Sequence, residues 1–195
     1  MILLWGAVIG VVAGWLAGGR LRNLGGLRLR GGWLVGLALL IQLLIFPLGD
    51  LGPLVVHGTV PLHLASYGVL AAFLVWNVAH WPIAVMGLGL IANLVVIAAN
   101  GGYMPADPAA LARAGVEAAV ALQQDGVVAN VVLMGPETHL NFLGDWLFLP
   151  QAVPLATAFS LGDLAIGLGL ALFFPYAMRG KRVADGAADD GGRAA

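Results

Sequence analysis

Long stretches without any charged side chain constrain this chain more than any other feature of its sequence. A helix needs about 20 mostly apolar residues to cross a hydrocarbon core of about 30 Å, and stretches of nearly that length recur along the chain. Charged residues make up 10% of the sequence and hydrophobic residues 61%, compared with about 25% and about 45–50% in soluble domains. The sequence therefore predicts an all-α integral membrane protein, a bundle of transmembrane helices.

The apolar stretches predict five transmembrane helices within one domain. They lie at residues 2–18, 32–48, 62–79, 82–99 and 160–178. Helices are expected because lipid leaves the backbone polar groups to pair within each segment, and the alternation typical of a membrane barrel is missing. Residues 1–183 are predicted to form a single membrane domain, followed by a small, polar and disordered tail at residues 184–195.

Basic residues predict the orientation of these helices. They cluster after the first span and after the last span, as Arg20, Arg22, Arg28, Arg30, Arg179, Lys181 and Arg182. The positive-inside rule places both clusters in the cytoplasm. With five spans in a bacterial inner membrane, the N-terminus and residues 100–159 then lie outside and the C-terminus lies inside.

The segment of residues 100–159 predicts a short amphipathic helix. Asp107 and Pro108 are residue types preferred at the N-cap and at the first helical position, so a helix is expected at residues 108–124, ending before Gly126. It is too polar to span, and it is expected to lie on the outer membrane surface or to cap the bundle. The pattern of residues 127–133 is that of a short strand.

Glycines at helical spacing predict close packing of the first span. Gly10, Gly14 and Gly18 stand four residues apart, and small residues at this spacing let membrane helices approach each other. The contact is expected within the chain, with self-association of two copies as the alternative.

Two Gly-Asp pairs border apolar sequence near the C-terminal end. They are Gly144-Asp145 and Gly162-Asp163, the second at the start of the last span. A carboxylate at such a position is costly and marks a candidate functional site. Two neighbouring carboxyls cannot both ionise readily, so one holds a proton while the other activates a water molecule. Asp145 and Asp163 are therefore candidate catalytic residues.

Helix capping is the structural alternative for both carboxylates. Asp163 would be the N-cap of a helix that begins at Leu164, and Asp145 would cap a short helix at Trp146. A third interpretation is that the pair binds a ligand without catalysis.

The segments 144–147 (Gly-Asp-Trp-Leu) and 159–163 (Phe-Ser-Leu-Gly-Asp) stand in order on one side of the membrane, with prolines between them. In this respect the C-terminal third resembles the lipoprotein signal peptidases, which are intramembrane aspartic peptidases. The resemblance implies that Asp145 and Asp163 form the catalytic dyad and that Ser160 replaces an asparagine of that family. It also implies a peptide or lipoprotein substrate. The asparagine-rich segment of that family has no match in this chain.

Three segments make the whole chain similar to a family of bacterial membrane proteins of unknown function. They are Asn-Gly-Gly-Tyr-Met-Pro at 100–105, Phe-Leu-Gly-Asp at 142–145 and Phe-Ser-x-Gly-Asp at 159–163. This resemblance implies no activity. Polar residues in and beside these segments are the candidate binding residues, namely Asn100, Tyr103, Asn141 and Ser160. The expected partners are membrane lipids, a peptide or lipoprotein, or a membrane partner subunit.

Histidines provide a rival hypothesis. His57, His63 and His139 fall on the predicted outer side, where a metal site or haem ligation is conceivable. Their spacing matches no metal motif, so neither a metal nor another cofactor is predicted, and interfacial histidines are the ordinary alternative. The chain has no cysteine, which excludes disulfides and thiolate ligands. It also lacks a phosphate loop and a nucleic-acid-binding pattern.

Overall fold

The computed structural model describes residues 2–46, 53–115 and 127–179. This part of the chain is mostly helical. Its α-helices are α1 (Ile2–Leu16), α2 (Trp33–Ile45), α3 (Thr59–Trp76), α4 (Trp81–Ala99), α5 (Pro108–Ala114) and α6 (Leu161–Arg179). Short 3-10 helices lie at Leu21–Gly26 and Asn141–Leu143. The strands are β1 (Met104–Ala106), β2 (Val127–Val128), β3 (Val131–Leu133), β4 (Leu147–Leu149) and β5 (Thr157–Phe159).

Three of these helices, α3, α4 and α6, are long and apolar enough to cross a membrane. The helices α1 and α2 are apolar but have only 15 and 13 residues. At about 1.5 Å per residue they are roughly 20 Å long, which is less than the thickness of the hydrocarbon core. The protein is therefore a membrane protein with three candidate spans, and the predicted count of five is not confirmed.

The helix α6 lies between α1 and α4 in the bundle. It runs parallel to α1 and antiparallel to α4, while α2 packs on α3 and α3 on α4. The glycines Gly10 and Gly14 face the backbone or side chains of α6. A Cβ atom added to Gly10 would lie 2.8 Å from the Leu170 carbonyl oxygen. The prediction that these two glycines serve packing within the chain is confirmed.

The third glycine of the predicted stripe has a different role. Gly18 follows the end of α1 with a φ of +78° and has open space around it. Its place in the contact is taken by Gly6, whose added Cβ would collide with Gly167 of α6. The packed stripe thus begins one turn earlier than predicted.

The described residues of the two basic clusters lie at the same end of the bundle, which we call the arginine end. They are Arg20, Arg22, Arg28, Arg30 and Arg179. The Arg20 N–H donates to the Met178 carbonyl at 3.2 Å, and Asn23 Nδ2 donates to the same oxygen at 2.7 Å. The segment between α1 and α2 is thereby joined to the end of α6, as the orientation prediction requires. The side of the membrane on which this end lies stays a prediction.

The opposite end of the bundle carries two small sheets and is called the sheet end. The strand β3 pairs with β1 in parallel and with β2 in antiparallel orientation, and β4 pairs with β5. The predicted single strand at 127–133 is therefore a hairpin, in which Ala129 turns the chain with a φ of +55°. Since the described residues contain five short strands, the all-α prediction holds only as mostly helical.

The helix α5 begins as predicted and ends earlier. Asp107 is its N-cap and accepts a hydrogen bond from the Ala109 N–H at 2.8 Å. The helix ends at Ala114, where Gly115 adopts a φ of +66°. Its apolar side packs on the small sheets, with Leu111 buried there. The predicted continuation at 116–124, Gly126 and the predicted tail at 184–195 lie outside the described residues.

Candidate functional site

Asp163 closes the first turn of α6 together with Ser160. The Asp163 N–H donates to Ser160 Oγ at 2.9 Å, and the Ser160 N–H donates to Asp163 Oδ2 at 3.4 Å. This reciprocal arrangement is a capping box. The prediction that Asp163 itself is the N-cap of a helix beginning at Leu164 is wrong, because the helix begins at Leu161 and Ser160 holds the N-cap position. The Asp163 carboxylate still stabilises the first turn.

Asn93 of α4 binds both members of this capping box. Its Nδ2 donates to Asp163 Oδ1 at 2.7 Å, and its Oδ1 accepts a hydrogen bond from Ser160 Oγ at 2.9 Å. Asn93 and Ser160 are only 2% and 0% exposed. Polar groups buried at such depth are costly unless they are paired, and here they pair with one another. We call Asn93, Ser160 and Asp163 the Asn93 cluster.

The glycines of both Gly-Asp pairs are explained by close approach of the backbone. A Cβ at Gly162 would collide with Asn93 Oδ1, and a Cβ at Gly89 would collide with the Gly162 carbonyl. A Cβ at Gly144 would collide with the carbonyl of Pro105. A larger residue at any of these positions would therefore separate the elements that form the site.

Asp145 is held by its backbone beside the first sheet. Its N–H donates to the Pro105 carbonyl and its own carbonyl accepts from the Asp107 N–H, both at 2.9 Å. The predicted short helix at Trp146 does not form, because the chain continues into β4. The capping interpretation of Asp145 is therefore wrong.

The Asp145 carboxyl is unusual in its surroundings. Its Oδ1 is shielded from solvent and has no hydrogen-bond partner within the described parts of the chain. Burial, and to a smaller extent the negative charge of Asp163, raise the pKa of Asp145 to about 7. The two carboxyls thus interact electrostatically, and Asp145 can take up or release a proton near neutral pH.

A cavity between the helices reaches the Asn93 cluster. It has a volume of about 400 Å³, and its polar lining residues are Gln42, Tyr67, Asn93 and Asp163. The remaining walls are apolar and come from every long helix, with Leu3, Leu39, Phe73, Met86 and Phe173 as examples. We call this space the central cavity.

A comparison with protein families finds a match that includes most of the chain. Residues 26–175 match the model of DUF5317, a family of unknown function. The chain belongs to DUF5317. The match contains the Asn93 cluster and Asp145, whereas α1 lies outside it. DUF5317 membership fits the predicted relation to an uncharacterised family, but it does not confirm the resemblance to lipoprotein signal peptidases. No curated protein and no solved structure matches the chain.

The four predicted binding residues all lie in the DUF5317 region, but they occupy different places in the structure. Asn100 fastens a loop to the end of α4, because its side chain pairs with the backbone N–H and carbonyl of His139 at 2.8 Å. Asn141 has a side-chain oxygen that is shielded from solvent and unpaired among the described residues. Tyr103 lines a smaller cavity of about 240 Å³ at the sheet end. Ser160, the fourth, belongs to the Asn93 cluster.

Among the described residues, the histidines do not assemble a recognisable metal centre. His63 is buried between the rings of Phe46 and Tyr67, and its Nδ1 lies 3.4 Å from the Gly102 carbonyl oxygen. His57 is exposed. Across residues 2–46, 53–115 and 127–179, no group of three or more histidine and acidic side chains could hold a metal ion.

Asn93 is the site residue that sequence reasoning missed. It is visible only as one of few polar residues in an otherwise apolar span. A buried amide in such a span needs a hydrogen-bond partner from another helix, so its presence was a signal of a polar contact. The identity of the partner, 70 positions away, was not readable from the sequence.

Proposed function

We propose that this membrane protein binds an amphipathic, lipid-like molecule between its helices. The apolar part of the molecule would occupy the central cavity, and its polar group would lie at the Asn93 cluster. The observation that carries this proposal is the distribution of polarity in the cavity of about 400 Å³, which is apolar along most of its wall and polar near one end. Its volume is within the range of about 300–1,000 Å³ common for ligand sites.

The positions of the lining residues along the helices indicate how the proposed ligand is oriented. Gln42 lies near the C-terminal end of α2 and Asp163 near the N-terminal end of α6, and both positions belong to the sheet end. Leu29 and Phe173 line the cavity towards the arginine end. A single-chain amphiphile would therefore place its head towards the sheet end and its tail towards the arginine end.

The carboxyls select the chemistry of the head group. Asp163 lines the cavity, and Asp145 interacts with it through charge. Carboxylates accept hydrogen bonds and repel anions. A head group that donates hydrogen bonds, such as a hydroxyl or an amine, therefore fits this end better than a carboxylate or a phosphate.

Photocrosslinking tests the proposed binding. The purified protein in lipid nanodiscs is exposed to a photoactivatable C16 alcohol or to the matching C16 carboxylic acid, and the labelled peptides are mapped. We expect the alcohol to label cavity residues several-fold more strongly than the acid. Leu170→Trp should fill the cavity that Leu170 lines and reduce labelling. Leu168→Trp is the matched control, since Leu168 is 52% exposed on the same helix.

The outcomes separate a specific site from general lipid exposure. Labelling that is equal in Leu170→Trp, Leu168→Trp and the unsubstituted protein would overturn the binding proposal. Equal labelling by the alcohol and the acid would overturn the proposed head-group chemistry.

A peptidase-like reaction is the second candidate function, and the Asp145 carboxyl favours it. A carboxyl with a pKa of about 7 that interacts through charge with a second carboxylate has the protonation pattern of an aspartic dyad, in which one member holds a proton and the other activates water. In this proposal Asp145 holds the proton, and Asp163, fixed by its hydrogen bonds to Asn93 and Ser160, is the base. The substrate would be a membrane peptide or lipoprotein.

Isosteric substitutions test the dyad. Asp145→Asn and Asp163→Asn should each abolish cleavage of a fluorogenic lipopeptide by the purified protein, because a dyad fails when either member is lost. Asp145→Asn should leave crosslinking in the central cavity intact, which separates loss of chemistry from loss of binding. Cleavage that persists in both variants, or that is absent from the unsubstituted protein, would reject the dyad.

The proposed location is the inner membrane of a bacterium, with α1 and α2 also crossing. The N-terminus would lie outside and the C-terminus in the cytoplasm. This proposal is supported by the apolar character of α1 and α2 and by the basic residues gathered at the arginine end, which the positive-inside rule assigns to the cytoplasm.

A further inference from the structure

A second large cavity lies at the arginine end, away from the central cavity's polar residues. It has a volume of about 500 Å³ and is formed by the segment 28–30 and the connection between α3 and α4. Arg28, Arg30 and His80 line it, and none of its described lining residues is acidic. We call it the basic cavity. Its nitrogen donors and positive charge are suited to an anion.

A buried amide fixes one wall of the basic cavity. Asn77 is 2% exposed, and its side chain pairs with both backbone groups of Arg30. The Arg30 N–H donates to Asn77 Oδ1, and Asn77 Nδ2 donates to the Arg30 carbonyl, each at 2.8 Å. Asn77 Nδ2 also donates to the Phe73 carbonyl at 2.8 Å. The backbone that carries Arg30 is therefore held against the end of α3.

A glycine adds to this fixation. Gly31 adopts a φ of +65°, and a Cβ added there would lie 2.8 Å from the ring of Trp76. The chain next to Arg30 thus packs closely on an aromatic side chain, in a conformation that L residues rarely adopt.

The positive-inside rule alone does not explain why Arg28 and Arg30 line a cavity with a fixed backbone. The positive-inside rule requires only that basic residues lie near the end of a span. Arg20 and Arg22 meet that requirement in the same connection without lining the basic cavity. Arg28 and Arg30 differ because they line a shaped cavity, and because the backbone of Arg30 is fixed by a buried amide.

We propose that the basic cavity binds the phosphate group of an anionic phospholipid. Arginine pairs well with phosphate, and basic pockets between membrane helices bind anionic head groups. Trp76, which lines the cavity, is 54% exposed, as expected of a side chain at the membrane interface.

The acyl chains also have a place beside this site. An apolar groove of about 350 Å³ runs along α3 and α4 and includes Val75 and Val78. These residues flank Trp76 and Asn77 of the basic cavity in the chain. A phospholipid, rather than free phosphate, therefore matches the combination of a basic cavity and an apolar groove at the same helix connection.

Native mass spectrometry of the purified full-length protein tests this proposal. The protein in detergent is titrated with phosphatidylglycerol or phosphatidylcholine, and the bound fraction is compared among variants. We expect Arg28→Gln/Arg30→Gln to weaken phosphatidylglycerol binding about tenfold or more, because both arginines line the cavity and arginine pairs strongly with phosphate. Arg20→Gln/Arg22→Gln is the matched control, with the same loss of charge between α1 and α2. It should change binding less than about threefold, because these arginines do not line the cavity and attract the lipid only through screened charge.

Three results would overturn the proposal. Equal weakening in the two double variants would show attraction by diffuse charge without a site. Equal binding of phosphatidylglycerol and phosphatidylcholine, which is zwitterionic, would show that the net negative charge of the lipid is not recognised. Displacement of bound lipid by millimolar inorganic phosphate would assign the cavity to a free anion instead of a phospholipid.

Discussion

Asp145 and Asp163 have different surroundings, although each follows a glycine that permits close packing. Both oxygens of Asp163 accept hydrogen bonds, from Asn93 and from the Ser160 backbone. Asp145 Oδ1 has no partner in the described structure. Burial and the charge of Asp163 raise the pKa of Asp145 to about 7, so this carboxyl changes its protonation near neutral pH.

The stability of the protein should depend on the protonation of Asp145. Its pKa rises from 3.8 to about 7 on folding, through burial and the charge of Asp163. The folded state then binds this proton more tightly than the unfolded state, so the free energy of unfolding falls as pH rises from about 4 to 7. Asp145→Asn should remove that fall, as measured by thermal unfolding in detergent across this range.

A second variant checks the electrostatic part of this effect. Asp163→Asn removes the negative charge that raises the Asp145 pKa, so the fall in stability should move to lower pH. A pH profile that is unchanged in Asp145→Asn would show that other groups cause the dependence.

The two carboxylates could be singled out from the sequence, but their environments could not. Each is conspicuous because charge is scarce in this chain. The hydrogen bonds that distinguish them come from Asn93 and Ser160, and the contact between Asn93 and Asp163 joins two helices that are far apart in sequence. Residue types predict that a partner is needed, whereas only the packing of α4 on α6 determines which one is supplied.

At the scale of elements, the contact between α1 and α6 is built on glycine. The sequence predicts the spacing of the stripe but not which glycines belong to it, because Gly6, Gly10, Gly14 and Gly18 all share the same four-residue interval. The partner helix decides which glycines make the contact, since only the first three lie against α6. Gly18 instead ends the helix with a positive φ.

Substitution of a packed glycine should separate these two helices. A Cβ at Gly10 would lie within 2.9 Å of the Leu170 and Ala171 backbone, which cannot yield as a flexible side chain can. Gly10→Ala should therefore destabilise the protein by about 1–3 kcal/mol or more, measured as a lower midpoint of thermal denaturation in detergent.

Gly68→Ala provides the matched control for this change. Gly68 lies inside α3 with no atom within 4 Å of an added Cβ, so alanine should be neutral or stabilise the helix by about 0.5–1 kcal/mol. Equal destabilisation by both substitutions would mean that the α1–α6 contact is not what Gly10 serves.

At the scale of the whole molecule, the sequence predicts which segments share one end of the bundle better than it predicts the sheets. The asymmetry of charge is spread over many residues. It correctly predicts that the segment between α1 and α2 and the end of α6 lie at the same end. The described strands have two or three residues each, and β1 pairs with β3, with Met104 opposite Val131. Such short strands leave too little periodicity to be recognised, and their pairing depends on long-range contacts.

Labelling of single cysteines should decide the orientation of this bundle. The chain contains no cysteine, so each introduced thiol reports on one position. Ala109 is exposed on α5 at the sheet end, and Gly25 is exposed at the arginine end with open space around it. In intact cells we expect an impermeant thiol reagent to label Ala109→Cys and to label Gly25→Cys only after permeabilisation, because the basic residues favour a cytoplasmic arginine end. The opposite pattern would invert the molecule, place the Asn93 cluster towards the cytoplasm and exclude an outward-facing site.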